Sequence, residues 1–106
     1  MSHLLESIFP IYIFHAVKPN IDPNPENKVV VVNETQPFNL SCNASGKPTP
    51  TVVWRKTSGS PLQFPDGTTL TVSSASPQHS GTYQCTATNK AGSDTATFVV
   101  VVQCEL

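Results

Sequence analysis

Cysteine, histidine and asparagine are the residue types in this chain whose spacing could carry chemistry. The cysteines are Cys42, Cys85 and Cys104, and no two of them form a C-x-x-C pair, so neither a zinc site nor a redox motif is expected. Cys42 and Cys85 lie in strand-like alternating runs, which suggests one disulfide with one cysteine left over. A stable disulfide implies an oxidising compartment. His3, His15 and His79 show no metal-ligand spacing. No G-x-S-x-G turn or Cys/His pairing supplies a nucleophile with its base, and no glycine-rich loop could cradle a phosphate. The chain is therefore not expected to be an enzyme or to hold a cofactor or metal. His79 reads as a solvent-facing turn residue; the alternative is a pH switch, because imidazole changes charge close to neutral pH. Asparagine gives the clearest signal. Asn33-Glu34-Thr35, Asn39-Leu40-Ser41 and Asn43-Ala44-Ser45 each form the acceptor pattern for N-glycosylation in a secreted chain.

Composition narrows the function classes. The chain has 106 residues, room for one domain, and 38% hydrophobic content, enough for one modest core that a covalent staple would help. Only 12% of residues are charged and the formal net charge is −1, with no cluster of Lys or Arg. A phosphate backbone requires a basic stripe to displace its counterions, so nucleic-acid binding has no support. An anionic membrane surface is equally unsupported. Residues 1–18 are a leader-like segment or an irregular N-terminal extension. The run MSHLLESIFPIYIFHAV is interrupted by Glu6, Pro10 and His15 and is too short to span a bilayer, so no membrane segment is evident. It also lacks the basic start of a signal peptide, since the first Lys is Lys18.

The elements that must position these residues are short strands. Residues 18–28, KPNIDPNPENK, read as a linker or an irregular first edge strand. VVVV at 29–32 is the first clear strand. Period-two alternation then places Phe38, Leu40, Cys42 and Ala44 inward, with Asn39, Ser41 and Asn43 outward. The same parity puts Val52 and Trp54, Leu70 and Val72, Tyr83, Cys85 and Ala87, and Ala96, Phe98 and Val100 inward. Short strands at this spacing predict an all-β, two-sheet antiparallel sandwich over residues 19–103, followed by a tail at 104–106. Cys42 and Cys85 would bridge its sheets with Trp54 packed against the sulfurs. Closing a loop of about 44 residues contributes roughly 4 kcal/mol in the chain-entropy account.

Cys42, Trp54 and the Tyr83-x-Cys85 pair resemble the core of the immunoglobulin superfamily. G-K-P-T-P-T-V-V-W at 46–54, T-L-T-V at 69–72 and G-T-Y-Q-C-T-A-T-N-K-A-G at 81–92 are similar to its I-set type. The resemblance implies that Tyr83 ties a tyrosine corner by its hydroxyl. The short span between Trp54 and Tyr83 leaves no room for the extra strands of a variable domain. Two departures stand out. His79 takes the place of the family's usual Asp, and no Lys or Arg between Lys56 and Lys90 could pair with it. Glu34-Thr35-Gln36 stands where a glycine turn is usual.

In the I-set arrangement the strand of Asn39 and Asn43 belongs to sheet A-B-E-D, whose outer face their sugars would cover. The sheet of strands C, F and G is expected to carry no sequon. Its outer face would show Val53, Arg55, Gln84, Thr86, Thr95, Thr97 and Val99, a candidate protein-contact face; the bland alternative is an ordinary β-branched strand surface. The expected function is a non-catalytic, extracellular protein-binding module of adhesion, receptor or matrix type. Its partners would be other proteins, including homophilic or neighbouring immunoglobulin-like domains. The rivals are an intracellular structural I-set spacer of the muscle giant-protein type and a secreted decoy or inhibitor. Cys104 is left as a free thiol, an interchain bridge or the end of a truncated chain.

Overall fold

A computed structural model describes residues 15–24, 28–59 and 62–104. The leader-like segment falls outside the described residues up to position 14. The strands run in chain order as β1 (Val17–Ile21), β2 (Lys28–Asn33), β3 (Phe38–Ser41), β4 (Ala44–Lys47), β5 (Thr51–Lys56), β6 (Thr69–Val72), β7 (Gly81–Asn89) and β8 (Gly92–Gln103), with a 3-10 turn at Pro77–His79. On one side of the sandwich β1 pairs antiparallel with β4, and β3 with β6. On the other, a four-stranded sheet has the order β2-β8-β7-β5. Its members pair antiparallel except β2, which runs parallel to β8.

The alternation of side chains explains why these segments are strands. Each of β3, β5 and β6 buries every second residue, so one face is apolar and the other meets water. The buried set is Ile21, Phe38, Leu40, Cys42, Val52, Trp54, Leu70, Val72, Ala75, Tyr83, Cys85, Ala87, Ala96, Phe98 and Val100. All the inward assignments made from parity alone fall in this cluster except Ala44, which is half-buried against it.

Cys42 and Cys85 form a disulfide between the sheets, and both are fully buried. Trp54 is the register partner of Cys85 across β5 and β7. Its ring lies 5.5 Å from that of Phe98, and its indole N–H donates to the carbonyl of Gly67 at 2.9 Å. The buried indole therefore has its polar atom satisfied as well as its rings packed. Loop 66–68 is tied to β5 a second time, by the Gly67 N–H donating to Val52 O at 3.0 Å.

β1 is an edge strand that begins at Val17, so the proline-rich stretch is partly strand and not only linker. The Ile21 N–H donates to the Asp94 carboxylate at 2.8 Å, and Asn89 Nδ2 donates to both Val17 O and Pro48 O. These bonds hold β1 to the β7–β8 hairpin. Pro23 lacks an N–H for the ladder, and the chain past it resumes as β2 in the opposite sheet.

The turn after β2 uses Thr35 where glycine is usual, with φ at 73°. This left-handed backbone crowds a β-branched side chain. The turn is held by Thr35 N–H donating to Ala75 O at 2.9 Å and Gln36 N–H donating to Asn33 O at 3.1 Å.

Replacing Cys42 and Cys85 together by alanine should lower the unfolding free energy by about 4 kcal/mol, read from urea denaturation followed by Trp54 fluorescence. Thr35→Gly should act in the opposite sense and raise stability by about 1 kcal/mol, because it relieves the left-handed strain. The same denaturation curves measure both.

Candidate protein-contact face

The outer face of the four-stranded sheet follows directly from its register. Val53 lies opposite Thr86, and Thr86 opposite Thr95. Arg55 lies opposite Gln84, and Gln84 opposite Thr97. Val99 pairs with Thr82 on one side and Val29 on the other. The seven side chains expected on this face are thus assembled into adjacent rows, with Val53, Arg55 and Thr95 exposed and the others half-buried. Chemically the rows offer one guanidinium, hydroxyls, an amide and branched methyl groups. Such a set suits contact with a protein surface better than a bond-making reaction. Among the described residues no group of three or more His, Cys, Asp or Glu side chains is placed to hold a metal. A cleft of about 180 Å³ opens elsewhere, between β2 and β3, with Val30, Leu40 and Phe98 among its walls.

Asn39 and Asn43 are exposed on the strand run of the opposite sheet, as parity requires. Asn33 is different. It ends β2, which joins the sheet of β5, β7 and β8 by pairing with β8, and it lies opposite Gln103. The expectation that this sheet carries no sequon is therefore wrong. The run VVVV gave no sign of the switch, since four apolar residues show no alternation and proclaim neither a face nor a sheet. Within β2, Val30 and Val32 are half-buried while Val29, Val31 and Asn33 are exposed. The outer valines of β2 extend the same outer face, and the sequence reading did not place them there.

At one end of this sheet sits the tyrosine corner. Tyr83 is fully buried, and its hydroxyl donates to the His79 carbonyl at 2.6 Å. Burial pushes the Tyr83 pKa up to about 12. Its ring packs 5.5 Å from Phe64, and the Lys56 ammonium lies 5.9 Å from its centroid. Gly81, at φ 147°, has no room for a side chain, because a Cβ there would run into the carbonyl of Ser58. That close approach is held by Thr57 N–H donating to Thr82 O and Thr82 N–H donating to Ser58 Oγ.

His79 is half-buried and not simply turned to solvent. Its Nδ1 accepts the Ser76 N–H at 2.9 Å, and its ring meets Phe38 edge-on at 6.0 Å. The imidazole thus takes up the N–H at the start of the 3-10 turn, as an acidic or amide side chain does in a capping box. The cation at the corner comes from strand β5: Lys56 Nζ donates to the Gln78 carbonyl at 3.0 Å. A search for charge along the sequence near His79 could not find it, since the two positions meet only in three dimensions.

Cys104 is exposed, and its thiol donates to the Glu34 carboxylate at 3.5 Å. That hydrogen bond and the carboxylate's charge both raise the thiol's pKa. Glu34 therefore holds Cys104 in its less nucleophilic form.

The buried phenol sets an alkaline limit to the fold. The folded chain keeps the Tyr83 proton more tightly than the unfolded chain, where tyrosine titrates at about 10. Its contribution is complete below that pH and is lost as pH rises towards about 12. Tyr83→Phe should cost about 1 kcal/mol at pH 7 through the lost hydrogen bond. It should also flatten the fall in stability above pH 10, which urea midpoints measured across that range would show.

Comparisons with known proteins agree with this geometry. The family profile described as Immunoglobulin domain matches residues 18–89. Hemicentin-2 of Mus musculus is 35% identical over 100 residues, covering 83% of this chain and 2% of its own length. The tyrosine-protein kinase receptor ver-3 of Caenorhabditis elegans is 40% identical over 77 residues, covering 71% of this chain and 6% of the receptor. The chain therefore spans a small fraction of these curated relatives. A solved structure of a chimeric titin Z1Z2 matches with a TM-score of 0.70 and 28% identity, over 86% of this chain and 100% of that one. Matched in sequence over most of its strands and in the closure of its two sheets, the chain belongs to the immunoglobulin superfamily and is I-set-like.

Proposed function

We propose that this immunoglobulin domain is a non-catalytic protein-binding module working in an extracellular setting, as part of a receptor, adhesion or matrix protein or as a secreted decoy. The observation that carries this reading is the outer face of β5, β7 and β8, where Val53, Arg55, Gln84, Thr86, Thr95, Thr97 and Val99 stand in register without contributing to the buried core. Arg55 supplies a planar multidentate donor at one row, flanked by small hydroxyl and methyl groups that a partner can approach closely. The fully buried disulfide supports passage through an oxidising compartment. The outward placement of Asn33, Asn39 and Asn43 is compatible with N-glycosylation at all three. A kinase receptor stands among the relatives, which supports the receptor class.

A structural spacer inside the cell is the second reading, favoured by the likeness to titin Z1Z2. The two readings differ in chemistry at the same atoms. Secretory expression followed by mass measurement, with and without glycosidase and reductant, should show sugars on the sequons and a closed Cys42–Cys85 bridge. An unglycosylated chain with both thiols free would support the spacer instead. Arg55→Glu combined with Val99→Asp should abolish binding to a partner isolated with the intact domain, measured by surface plasmon resonance. Unchanged affinity in that variant would move the contact surface elsewhere.

A further inference from the structure

Among the described residues, one of the two edges of the four-stranded sheet is unpaired along β2 and presents an apolar surface that nothing in the core requires. β2 is the terminal strand of the order β2-β8-β7-β5. Val29 is 59% exposed, Val31 56% and Val101 40%. Val29 lies opposite Val99 and Val31 opposite Val101, so these side chains form two adjacent rows on the outer face. Between Lys28 and Asn33 the edge strand has no charge and no proline. Those are the devices by which exposed strand edges avoid pairing with other chains. The next outward position along the same strand is Asn33.

Thr35 points to the same place by an independent route. It completes the sequon Asn33-Glu34-Thr35 while holding a left-handed φ of 73°. Glycine or asparagine would suit that backbone better, but neither completes a sequon; only serine or threonine does. A strained residue whose side chain makes the acceptor pattern is a reason to assign that pattern a role.

We propose that a glycan on Asn33 shields the Val31–Val101 row of β2 and β8, keeping this edge from self-association while leaving the rows of Val53, Arg55 and Val99 open. In the modification, the Asn33 side-chain nitrogen attacks the anomeric carbon of a lipid-linked oligosaccharide diphosphate. An N–C bond forms, the C–O bond to the diphosphate breaks, and the lipid diphosphate leaves as the amide loses one proton. Asn33 is opposite Gln103, and Gln103 is six residues beyond Thr97 on β8. At about 3.3 Å per residue the sugar is anchored roughly 20 Å from the row of Arg55, Gln84 and Thr97. A bulky hydrophilic group there covers Val31 and Val101 first and Arg55 last. The inference rests on the extracellular reading, because a chain outside the secretory pathway never meets the sugar donor.

The test uses the full chain secreted from eukaryotic cells, with glycopeptide mass spectrometry for occupancy and light scattering after gel filtration for oligomeric state. The wild type should carry sugar on Asn33 and be monomeric. Thr35→Gly removes the sequon without loosening the turn, and should yield a folded, disulfide-closed protein whose mass in solution at least doubles. Asn33→Gln should behave in the same way. Adding Val31→Lys to Thr35→Gly should restore the monomer, and Asn39→Gln alone should leave it monomeric. A bare Asn33 beside occupied Asn39 or Asn43 would overturn this inference and leave the extracellular reading standing. All three sites bare would overturn both. A monomeric Thr35→Gly protein, or association that Val31→Lys fails to reverse, would overturn the shielding role.

Discussion

Two sheets share one thin layer of side chains in this domain, and the Cys42–Cys85 bridge couples them through it. The bridge requires both cysteines to point inward at the same depth, and period-two geometry then dictates the direction of every neighbour. Trp54 faces inward beside Cys85 because it is that residue's register partner, and Arg55 faces water because it comes next. A slip of one residue in β5 would bury Arg55 and Val53 and expose Trp54 and Val52. The outer face and the core are two consequences of one register, so a slip that changes one changes the other.

The tyrosine corner shows how a departure from the family's usual chemistry is absorbed. His79 has no carboxylate to offer, yet its Nδ1 accepts the Ser76 N–H that opens the 3-10 turn. The carbonyl of the same residue accepts the buried Tyr83 hydroxyl. Lys56, reaching across from β5, supplies a cation to the Gln78 carbonyl and to the face of the Tyr83 ring. The fold needs these backbone groups satisfied and this phenol anchored; it does not need one particular ion pair to do so.

β2 has the opposite character. Its neighbours in sequence place it after an edge strand of one sheet, while its hydrogen bonds place it in the other. This switch brings Asn33, Val29 and Val31 onto the same surface as Val99 and Val101. A sequon that looked like one of three neighbours along the chain is therefore separated from Asn39 and Asn43 by the thickness of the sandwich, about 10 Å of packed side chains.

The sequence by itself determined the parity of nearly every strand, because alternation of apolar and polar residues is a local property of the backbone. From parity followed the inward cysteines, the tryptophan beside them and the outward Asn39, Asn43, Arg55 and Val53. The G-x-Y-x-C run also carried the corner, since the Tyr83 hydroxyl bonds a carbonyl only four residues upstream, that of His79. Only the tertiary structure decided which sheet β2 joins, that Thr35 adopts a left-handed φ, and that Lys56 completes the corner at Gln78. These outcomes depend on hydrogen bonds and packing between distant residues. A uniform run of valines, or a lysine twenty-odd positions from its carbonyl, has no local pattern that encodes them.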